Sequence, residues 1–352
     1  MSKYEPSGKL PEPVVKEGEF QIAAMALDHG HIHGQVGGLI NAGATLKWVY
    51  DADPKRAKDM ADKYGAKVAE SEAQVLEDED VKLVAAAAVP NLRGPLGIRC
   101  MEAGKDYFTD KTPFTTHQQL EDARDAVKRT GKKYTVFYCE RLSTESGMYA
   151  CDLIEMGAIG QPVQYIGTGP HKHSKGTRPD WFYNMQEYGG ILCDIGSHQS
   201  EQFLTYMGAK DAKVISATVA NYANADTPEL EDFGDAHLVA DNGTTGYYRV
   251  DWFTPDILKT FGDGRIIILG TEGYIELRKY VDIGHTVEGG HVYLVNKTDE
   301  VHMNVTGKVG LKFFGELILD CINRTDIAQN QEHAFTAARL CLDAQKQATK
   351  VK

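Results

Sequence analysis

Residues 20–138 alternate short apolar runs with amphipathic segments, and this alternation constrains the fold more than any other feature of the sequence. The apolar runs lie at residues 22–27, 46–50, 83–89, 107–109 and 134–138. Runs that are continuously apolar are typical of strands covered on both faces, as in a parallel sheet. The segments between them have helical periodicity. The pattern therefore predicts a doubly wound α/β domain of nucleotide-binding type over residues 19–140.

The sequence after Glu140 has a different texture. It contains a predicted helix at 146–156, a strand at 163–169, a loop at 170–188 and a helix at 191–206. Alternating apolar segments follow between 214 and 283, and they predict an antiparallel or mixed sheet. Helices at 312–322 and 332–348 close the chain. We therefore expect a polar N-terminal arm at 1–18 and, at 141–352, a substrate-binding and oligomerisation domain of α+β type with a large open, mostly antiparallel sheet.

The charge balance excludes several classes of partner. The chain has 352 residues, with 38 Lys and Arg against 50 Asp and Glu, for a net charge of −12. An acidic surface repels phosphate backbones and anionic headgroups, so neither nucleic acid nor a membrane is an expected partner. No apolar run approaches the roughly 20 residues of a membrane-spanning helix, and no secretory signal precedes the first strand. Six cysteines without a CxxC pair suit reduced thiols, so we expect a cytoplasmic protein.

The loop after the first strand is where dinucleotide-binding domains carry Gly-x-Gly-x-x-Gly, which lets the backbone approach the pyrophosphate. Here it reads Asp28-His29-Gly30-His31-Ile32-His33, and only Gly30 keeps its expected position. Asp51 follows 21 residues after Gly30, where it would accept hydrogen bonds from ribose hydroxyls and repel a 2′-phosphate. No arginine is its immediate neighbour, and Arg56 is the closest. We therefore expect these residues to bind NAD, with NADP disfavoured.

The same loop also raises the possibility of a metal site. Asp28, His29, His31 and His33 are all metal-ligating residue types. Short spacing on a loop that leaves a strand sends alternate side chains in different directions, whereas zinc and iron need convergent ligands. We therefore expect no metal, and histidines that face cofactor phosphates or solvent.

Four further stretches resemble the Gfo/Idh/MocA family, the glucose-fructose oxidoreductase and inositol dehydrogenase type of enzyme. They are Val49-Tyr50-Asp51-Ala52-Asp53-Pro54, Ala88-Val89-Pro90-Asn91, Thr109-Asp110-Lys111-Thr112-Pro113 and Asp194-Ile195-Gly196-Ser197-His198 after Gly189-Gly190. The last resembles the family pattern Gly-Gly-Gly-x-x-x-Asp-x-Gly-x-His and is the most specific. Together the stretches span nearly the whole chain from Phe20 onward, and the substituted glycine loop indicates a separate branch of the family.

The resemblance implies roles for several residues. Lys111 corresponds to a lysine that, in the family, hydrogen-bonds the reacting hydroxyl or tunes the catalytic base. Pro90, Asn91, Asp110 and Lys111 are implied to contact the cofactor. Asp110 stands where the family has Glu, and a threonine precedes the expected proline. The resemblance also implies a Rossmann fold for the first domain and a homodimer or homotetramer assembled through the sheet of the second.

Asp194 and His198 are four residues apart in a predicted helix, so they would share one face. A carboxylate beside an imidazole forms a general base with a substrate-orienting partner, and histidine titrates near neutrality. The alternative is an ordinary pair on a surface helix. With Lys111 and the glycine run also present, we interpret Lys111, Asp194 and His198 as the catalytic residues.

The loop before Asp194 carries the candidate substrate-binding residues. They are His171, His173, Arg178 and Trp181, together with Asp194 and His198. Aromatic faces and charged hydrogen-bonding groups suit a polyhydroxylated ring. The alternative for Trp181 and for the later Trp252 is core or interface packing.

Three functions from different classes remain open. The leading one is an NAD-dependent oxidoreductase that transfers hydride between a sugar, cyclitol or glycoside hydroxyl carbon and nicotinamide. A second is redox-neutral elimination or epimerisation of a sugar derivative with retained NAD. A third is a non-catalytic sugar or NAD sensor, which would have no need of a proton acceptor.

Overall fold

The computed structural model describes residues 3–285 and 288–352, which form two compact units. The parallel-sheet unit consists of residues 11–137 and 312–335. The mixed-sheet unit consists of residues 3–10, 138–311 and 336–352. The boundary that the sequence predicts near residue 140 lies beside the transition at Phe137–Tyr138, but the two ends of the chain are divided differently.

Residues 312–335, which the sequence places in the second domain, pack in the parallel-sheet unit. The ring of Phe108 lies 5.9 Å from that of Phe313 and 6.5 Å from that of Phe314, between centroids. Arg324 donates to both carboxylate oxygens of Asp106, at 2.6 and 3.0 Å. A late segment thus completes the core of the first unit, which the order of elements along the chain does not reveal.

Residues 3–18 are not a detached arm either. Tyr4 is buried, and its carbonyl accepts a hydrogen bond from the hydroxyl of Tyr149 at 2.5 Å. Val14 donates its N–H to the carbonyl of Ala42 at 3.0 Å. The predicted arm is therefore anchored through its backbone at both places, by a tyrosine hydroxyl at Tyr4 and by a backbone carbonyl at Val14.

The parallel-sheet unit contains a six-stranded sheet in the order β3-β2-β1-β4-β5-β6, with every neighbouring pair parallel. The strands are β1 Gln21–Met25, β2 Thr45–Tyr50, β3 Lys67–Val68, β4 Val81–Ala86, β5 Asp106–Asp110 and β6 Tyr134–Phe137. The order reverses between β1 and β4, which is where ligands bind in doubly wound folds. The predicted doubly wound sheet is confirmed.

Five helices connect these strands. They are α1 Ile32–Asn41, α2 Pro54–Tyr64, α3 Glu72–Glu77, α4 Pro90–Glu102 and α5 His117–Thr130. Local sequence sets their ends: the side chain of Asp53 caps α2 by accepting the N–H of Lys55, and Gly65 ends it with a left-handed φ of 70°. In α1, a Cβ at Gly38 would meet the ring of Phe314 at 2.3 Å, so only glycine allows this close approach.

The mixed-sheet unit contains a nine-stranded sheet in the order β14-β13-β12-β11-β7-β10-β9-β8-β15. Its strands are β7 Pro162–Pro170, β8 Ala212–Ala220, β9 Phe233–Ala240, β10 Thr245–Asp251, β11 Arg265–Gly270, β12 Gly273–Arg278, β13 His291–Asn296, β14 Glu300–Asn304 and β15 Thr349–Lys350. Only the pairs β7–β10 and β8–β15 are parallel. The predicted α+β domain with a large, mostly antiparallel sheet is confirmed.

The remaining helices are shorter on average. They are α6 Cys139–Leu142, α7 Glu145–Glu155, α8 Met185–Tyr188, α9 Ile191–Asp194, α10 Gly196–Met207, α11 Phe313–Asn323 and α12 Gln331–Gln347. Within the mixed-sheet unit, α10 packs on β7 and β10, and α7 packs on β12. In the part of the chain that the structure describes, no helix combines the length and apolarity needed to cross a membrane.

Several elements differ from the sequence prediction. The sequence analysis predicts neither β14, whose five residues include few apolar side chains, nor β13, although residues 292–295 form a short apolar run. The helix predicted at 191–206 is two helices, α9 and α10. The N–H of His198 bonds the carbonyl of Ile195, one residue short of the spacing of an α-helix, so the chain tightens at this point.

Candidate active site

A cavity of about 290 Å³ opens where β1, β2 and β4 end in the parallel-sheet unit. Its lining includes Ala26, Asp28, Asp51, Arg56, Ala88 and Leu92. The reversal point of a doubly wound sheet is the usual place of a bound nucleotide. The cavity therefore has the location and the size expected for part of a dinucleotide.

Asp51, the predicted ribose-binding acid, follows β2 and is held by several donors. One carboxylate oxygen accepts the N–H of Leu27 at 2.6 Å, and the other accepts the N–H of Asp53 at 2.7 Å. Arg56 donates to the second oxygen from Nε and Nη2, at 3.0 and 2.7 Å, and to Asp28 at 2.9 Å. Arg56 thus contacts Asp51 directly, and its guanidinium bridges the carboxylates of Asp51 and Asp28 at the wall of the cavity.

The turn that leaves β1 lies earlier than the predicted fingerprint. Ala26 has a left-handed φ of 51°, a conformation that favours glycine, two residues before Asp28. Gly30 borders open space, because a Cβ added there would meet no atom within 4 Å. Ile32 is buried at the start of α1, and the ring of His33 stacks on Tyr64. The loop therefore brings Asp28 and Gly30, rather than Ile32, to the surface of the fold.

His29 and His31 both bind Asp110, the last residue of β5. Their Nδ1 atoms lie 2.9 and 2.8 Å from the two carboxylate oxygens, which are fully buried. Burial favours a raised pKa for Asp110, but His31, Arg93 and His29 hold that pKa well below its ordinary value. A carboxylate only accepts hydrogen bonds, so Nδ1 of each ring is the donor in these two contacts.

Burial, with His31 beside it, lowers the pKa of His29 to about 4. His29 is therefore neutral at pH 7 and adds no positive charge for phosphates. The donor atoms of His29, His31 and Asp110 lie within 4.8 Å of one another, as a metal site would require. Arg93 contacts the same carboxylate at 3.2 Å, and the absence of a metal in this loop stays a prediction.

Arg93 holds the segment that carries Lys111. Its buried guanidinium donates to Asp110, to the carbonyls of Lys111 and Thr112, and through Nε to the carbonyl of Ala88 at 2.7 Å. The peptide bond between Lys111 and Thr112 is cis. The sequence analysis does not identify this arginine. Its position in the first turn of α4, soon after the buried strand β4, is the signal that could have found it.

Asn91 supplies an observation that fits a bound cofactor. Pro90 and Asn91 begin α4 at the end of β4, and Pro90 is buried. The Oδ1 atom of Asn91 is buried without a hydrogen-bond partner among the described residues. Leaving such an acceptor unpaired costs about 1–3 kcal/mol, so a ligand that donates to it would be stabilised. With the cavity and Asp51, this unit therefore fits NAD.

In the mixed-sheet unit, Glu140 is the centre of a buried polar cluster. Its Oε2 atom accepts hydrogen bonds from Lys279, from Gln199 at 3.0 Å and from Gln202 at 3.3 Å. Its Oε1 atom lies 3.5 Å from Nε2 of His171. We call these five residues the Glu140 cluster.

Neighbouring charges keep Glu140 ionised despite its burial. Burial alone would raise its pKa, but Lys279, then His198 and His171, hold the pKa well below its ordinary value. Nδ1 of His171 lies 3.2 Å from the carbonyl oxygen of Gly169, so both ring nitrogens face acceptors. The Glu140 cluster thus stabilises positive charge on an imidazole.

His198 lies near the start of α10 and is 1% exposed. Its Nε2 atom is 3.8 Å from Sγ of Cys139, whereas its buried Nδ1 atom has no hydrogen-bond partner in the described parts of the chain. Asp194 ends α9 and is half-buried. The predicted continuous helix is interrupted by a turn at Ile195, whose backbone is itself right-handed helical (φ −78°, ψ −38°), and the shared face of Asp194 and His198 stays a prediction.

The predicted substrate loop is organised around Arg178. Its guanidinium donates to the carbonyl of His173 at 2.9 Å and lies over the rings of Phe182 and Trp252, at 4.5 and 4.9 Å. Burial lowers the pKa of Arg178, and Asp194 opposes that shift. Trp252 is 6% exposed, which supports the packing alternative for it.

Of the four loop residues predicted to bind substrate, only His171 belongs to the Glu140 cluster. His173 faces the hydroxyl of Tyr183, with Nε2 at 3.3 Å, and Trp181 is half-buried beside Phe182. The sequence analysis missed Glu140 and Lys279. A charged residue two positions after the apolar run 134–138 is the sequence signal for Glu140. Lys279 follows the ordinary strand β12, and no sequence signal marks it.

Two family models match the chain. Residues 25–138 match the oxidoreductase family with an NAD-binding Rossmann fold, and residues 148–276 match the GFO/IDH/MocA C-terminal domain. The chain belongs to the Gfo/Idh/MocA family. The prediction of an NAD-binding Rossmann domain of an oxidoreductase family is confirmed.

Individual relatives agree with this family. The chain is 27% identical over 240 residues to scyllo-inositol 2-dehydrogenase (NAD(+)) of Bacillus subtilis strain 168. The match covers 66% of each protein, so the chain spans just under two thirds of that relative. A crystal structure from Erwinia carotovora atroseptica SCRI1043, described as an oxidoreductase without a named substrate, is 44% identical with a TM-score of 0.91, over 95% of this chain and all of that one. Aldose-aldose oxidoreductase of Caulobacter crescentus shares the fold, at 18% identity and a TM-score of 0.74, over 93% of this chain and 98% of its own.

Proposed function

We propose that this Gfo/Idh/MocA protein is a dehydrogenase that transfers hydride between the hydroxyl-bearing carbon of a sugar, cyclitol or glycoside and NAD. The observation that carries the proposal is the buried Nδ1 atom of His198, which the described residues leave without a hydrogen-bond partner. A substrate hydroxyl would donate to this atom. The relatives that act on inositol and on aldoses support a polyhydroxylated substrate.

In this proposal, His198 accepts the hydroxyl proton as a general base. The ionised Glu140 favours the imidazolium that forms, because an anion in a buried setting stabilises a nearby cation. When bound, NAD takes up the hydride. Lys111 is proposed to hydrogen-bond the reacting oxygen, and Arg93 fixes the backbone from which Lys111 projects. Asp194 is proposed to orient the substrate.

The loop that contains His171, His173, Arg178 and Trp181 is proposed to bind the remaining hydroxyls. His171 is the one of these four that belongs to the Glu140 cluster, with Nε2 3.5 Å from Oε1 of Glu140. The role of Arg178 is more structural, since its guanidinium binds the loop's own carbonyls and aromatic rings.

The test is a screen of cyclitols, aldoses and glycosides for NADH formation by the purified protein, followed by the variant His198→Gln on any active substrate. We expect NADH to accumulate with at least one polyol and turnover to fall in the variant. Substrate conversion without net NADH would favour the redox-neutral reaction on retained NAD. Binding of a sugar without any conversion would favour the sensor.

A further inference from the structure

A second group of histidines lies at the β13–β14 end of the nine-stranded sheet and shares no residue with the Glu140 cluster. His291 opens β13, His302 lies in the neighbouring β14, and Asp282 lies between β12 and β13. One ligand atom from each of the three lies within 4.8 Å of the others. We call these three residues the edge triad.

We propose that the edge triad binds one divalent cation of the late first-row type, with zinc as the representative ion. Two imidazole nitrogens and one carboxylate oxygen form a donor set that zinc, copper and nickel prefer. Calcium and magnesium instead require several oxygen ligands, which this site does not offer.

The spacing of the two nitrogens fits such an ion. Nδ1 of His291 lies 2.9 Å from Nε2 of His302. Zinc–nitrogen bonds of about 2.0–2.1 Å in tetrahedral geometry place two ligand nitrogens roughly 3.3 Å apart. The rings would therefore need to separate by only a few tenths of an ångström.

The carboxylate of Asp282 is held in place by donors around it. Its Oδ1 atom accepts hydrogen bonds from Arg278 at 2.8 Å and from the N–H of Gly284 at 2.9 Å, and its Oδ2 atom accepts from the hydroxyl of Tyr293. A carboxylate has about four acceptor positions, so Oδ2 retains one for a cation. Groups that orient ligands in this way are typical of metal sites. The positive charge of Arg278 offsets the negative charge of this carboxylate, which disfavours cations that bind mainly through electrostatic attraction.

The ring of His302 is oriented by stacking on two neighbouring rings. It lies 4.6 Å from the ring of Tyr293 at an angle of 19°, and 4.3 Å from that of His285 at 29°. His302 is exposed, whereas Asp282 and His291 are buried. An ion can therefore reach the edge triad from solvent at the His302 side while the other two ligands are held by the fold.

The competing explanation is that His291 and His302 only share a hydrogen bond within a stack of rings. Metal binding separates the two explanations. The protein is stripped with chelator, loaded with zinc chloride alone and desalted, and its metal content and calorimetric titration are measured. We expect one zinc per chain, and we expect His302→Ala to weaken binding by about tenfold or more.

Two control variants make the result specific. His237→Ala removes another exposed histidine of the same unit and should retain the full affinity. The double variant His29→Gln/His31→Gln removes the histidines that bind Asp110 and should also retain it. Cobalt(II) added in place of zinc should give the visible absorption of a tetrahedral site in the unmodified protein and lose it in His302→Ala.

Absence of bound zinc in the unmodified protein would overturn the proposal, as would binding that survives in His302→Ala. Binding that disappears only in the His29→Gln/His31→Gln variant would overturn it as well and would move the site to the glycine loop. Thermal melts of His302→Ala without metal establish that its fold is intact, and Asp282→Asn provides an independent ligand variant if it is not.

Discussion

Lys279 and Glu140 form an ion pair in which the two side chains are 0% and 2% exposed. A buried pair gains little over an apolar pair of the same size, because both ions lose their hydration. The pair therefore sets the charge of the Glu140 cluster and adds little stability. Lys279 keeps Glu140 ionised, and Glu140 in turn faces His171.

Removing only the lysine should be strongly destabilising. In Lys279→Met, the free energy of unfolding should fall by about 3–5 kcal/mol, since an uncompensated carboxylate is left buried. Adding Glu140→Gln to that variant should restore part of the loss. Urea unfolding of the single and double variants measures both effects.

The matched control is an exposed pair in the same unit. Lys297 lies 2.9 Å from Glu272, with side chains 70% and 51% exposed. Lys297→Met should change the free energy of unfolding by less than about 1 kcal/mol. Equal losses in Lys279→Met and Lys297→Met would contradict the buried-pair argument.

Stability should depend on pH through His29. Its pKa of about 4 in the folded protein lies below the value near 6.5 of an unfolded chain. The unfolded state therefore binds more protons between these values, so stability is complete above pH 6.5 and is lost as the pH falls toward 4. His29→Gln should reduce the difference in unfolding free energy between pH 7 and pH 5 by about 2 kcal/mol. His237→Gln, an exposed histidine, is the control, and an unchanged difference in His29→Gln would refute the assignment.

The proposed general base has its own test. His198→Gln should reduce turnover by about 10² to 10⁴-fold, the usual contribution of acid–base catalysis, with NAD affinity unchanged. Steady-state kinetics and calorimetry measure the two quantities. Full activity of the variant on a confirmed substrate would remove His198 from the mechanism, and His171 would be the next candidate.

Much of the fold could be predicted from the sequence, because each buried strand of the first unit is a continuous apolar run. The parts that could not be predicted depend on contacts distant in sequence. Residues 312–335 join the first unit through Phe313 and Phe314, whose partner Phe108 lies two hundred residues earlier. Strand β14 has five residues with few apolar side chains, so its pairing with β13 defines it rather than its pattern.

The candidate site, like the fold, could be predicted from the sequence only in part. Asp51 and Lys111 could be found because a motif surrounds each of them. Lys279 could not, because its partner Glu140 lies 139 residues away along the chain. The sequence predicts one helix across Asp194 and His198 and gives no signal for the turn at Ile195 that divides it.

Asp51 should control the choice between NAD and NADP. Its carboxylate binds Arg56 at the cavity wall, so Asp51→Ser removes a charge that repels a 2′-phosphate and leaves Arg56 available to bind one. We expect the preference for NAD to fall by at least about tenfold, measured by calorimetry with each cofactor. Asp51→Ser/Arg56→Ala should then lose the gain in NADP affinity. An undiminished preference for NAD in Asp51→Ser would exclude this role.

The face of the nine-stranded sheet that α7 and α10 leave uncovered should mediate self-association. Ile166 and Ile267 are register partners on neighbouring strands and are 38% and 42% exposed, and Leu269 and Tyr274 form a second exposed pair. Contiguous apolar side chains on a sheet face are typical of an interface between copies of a chain. We therefore expect a homodimer or homotetramer by light scattering at micromolar concentration, and dissociation in Ile267→Asp. Ile257→Asp is the control, since Ile257 is 93% exposed in the loop between β10 and β11 and lies outside this face. A monomeric unmodified protein, or an Ile267→Asp variant of unchanged mass, would contradict assembly through the sheet.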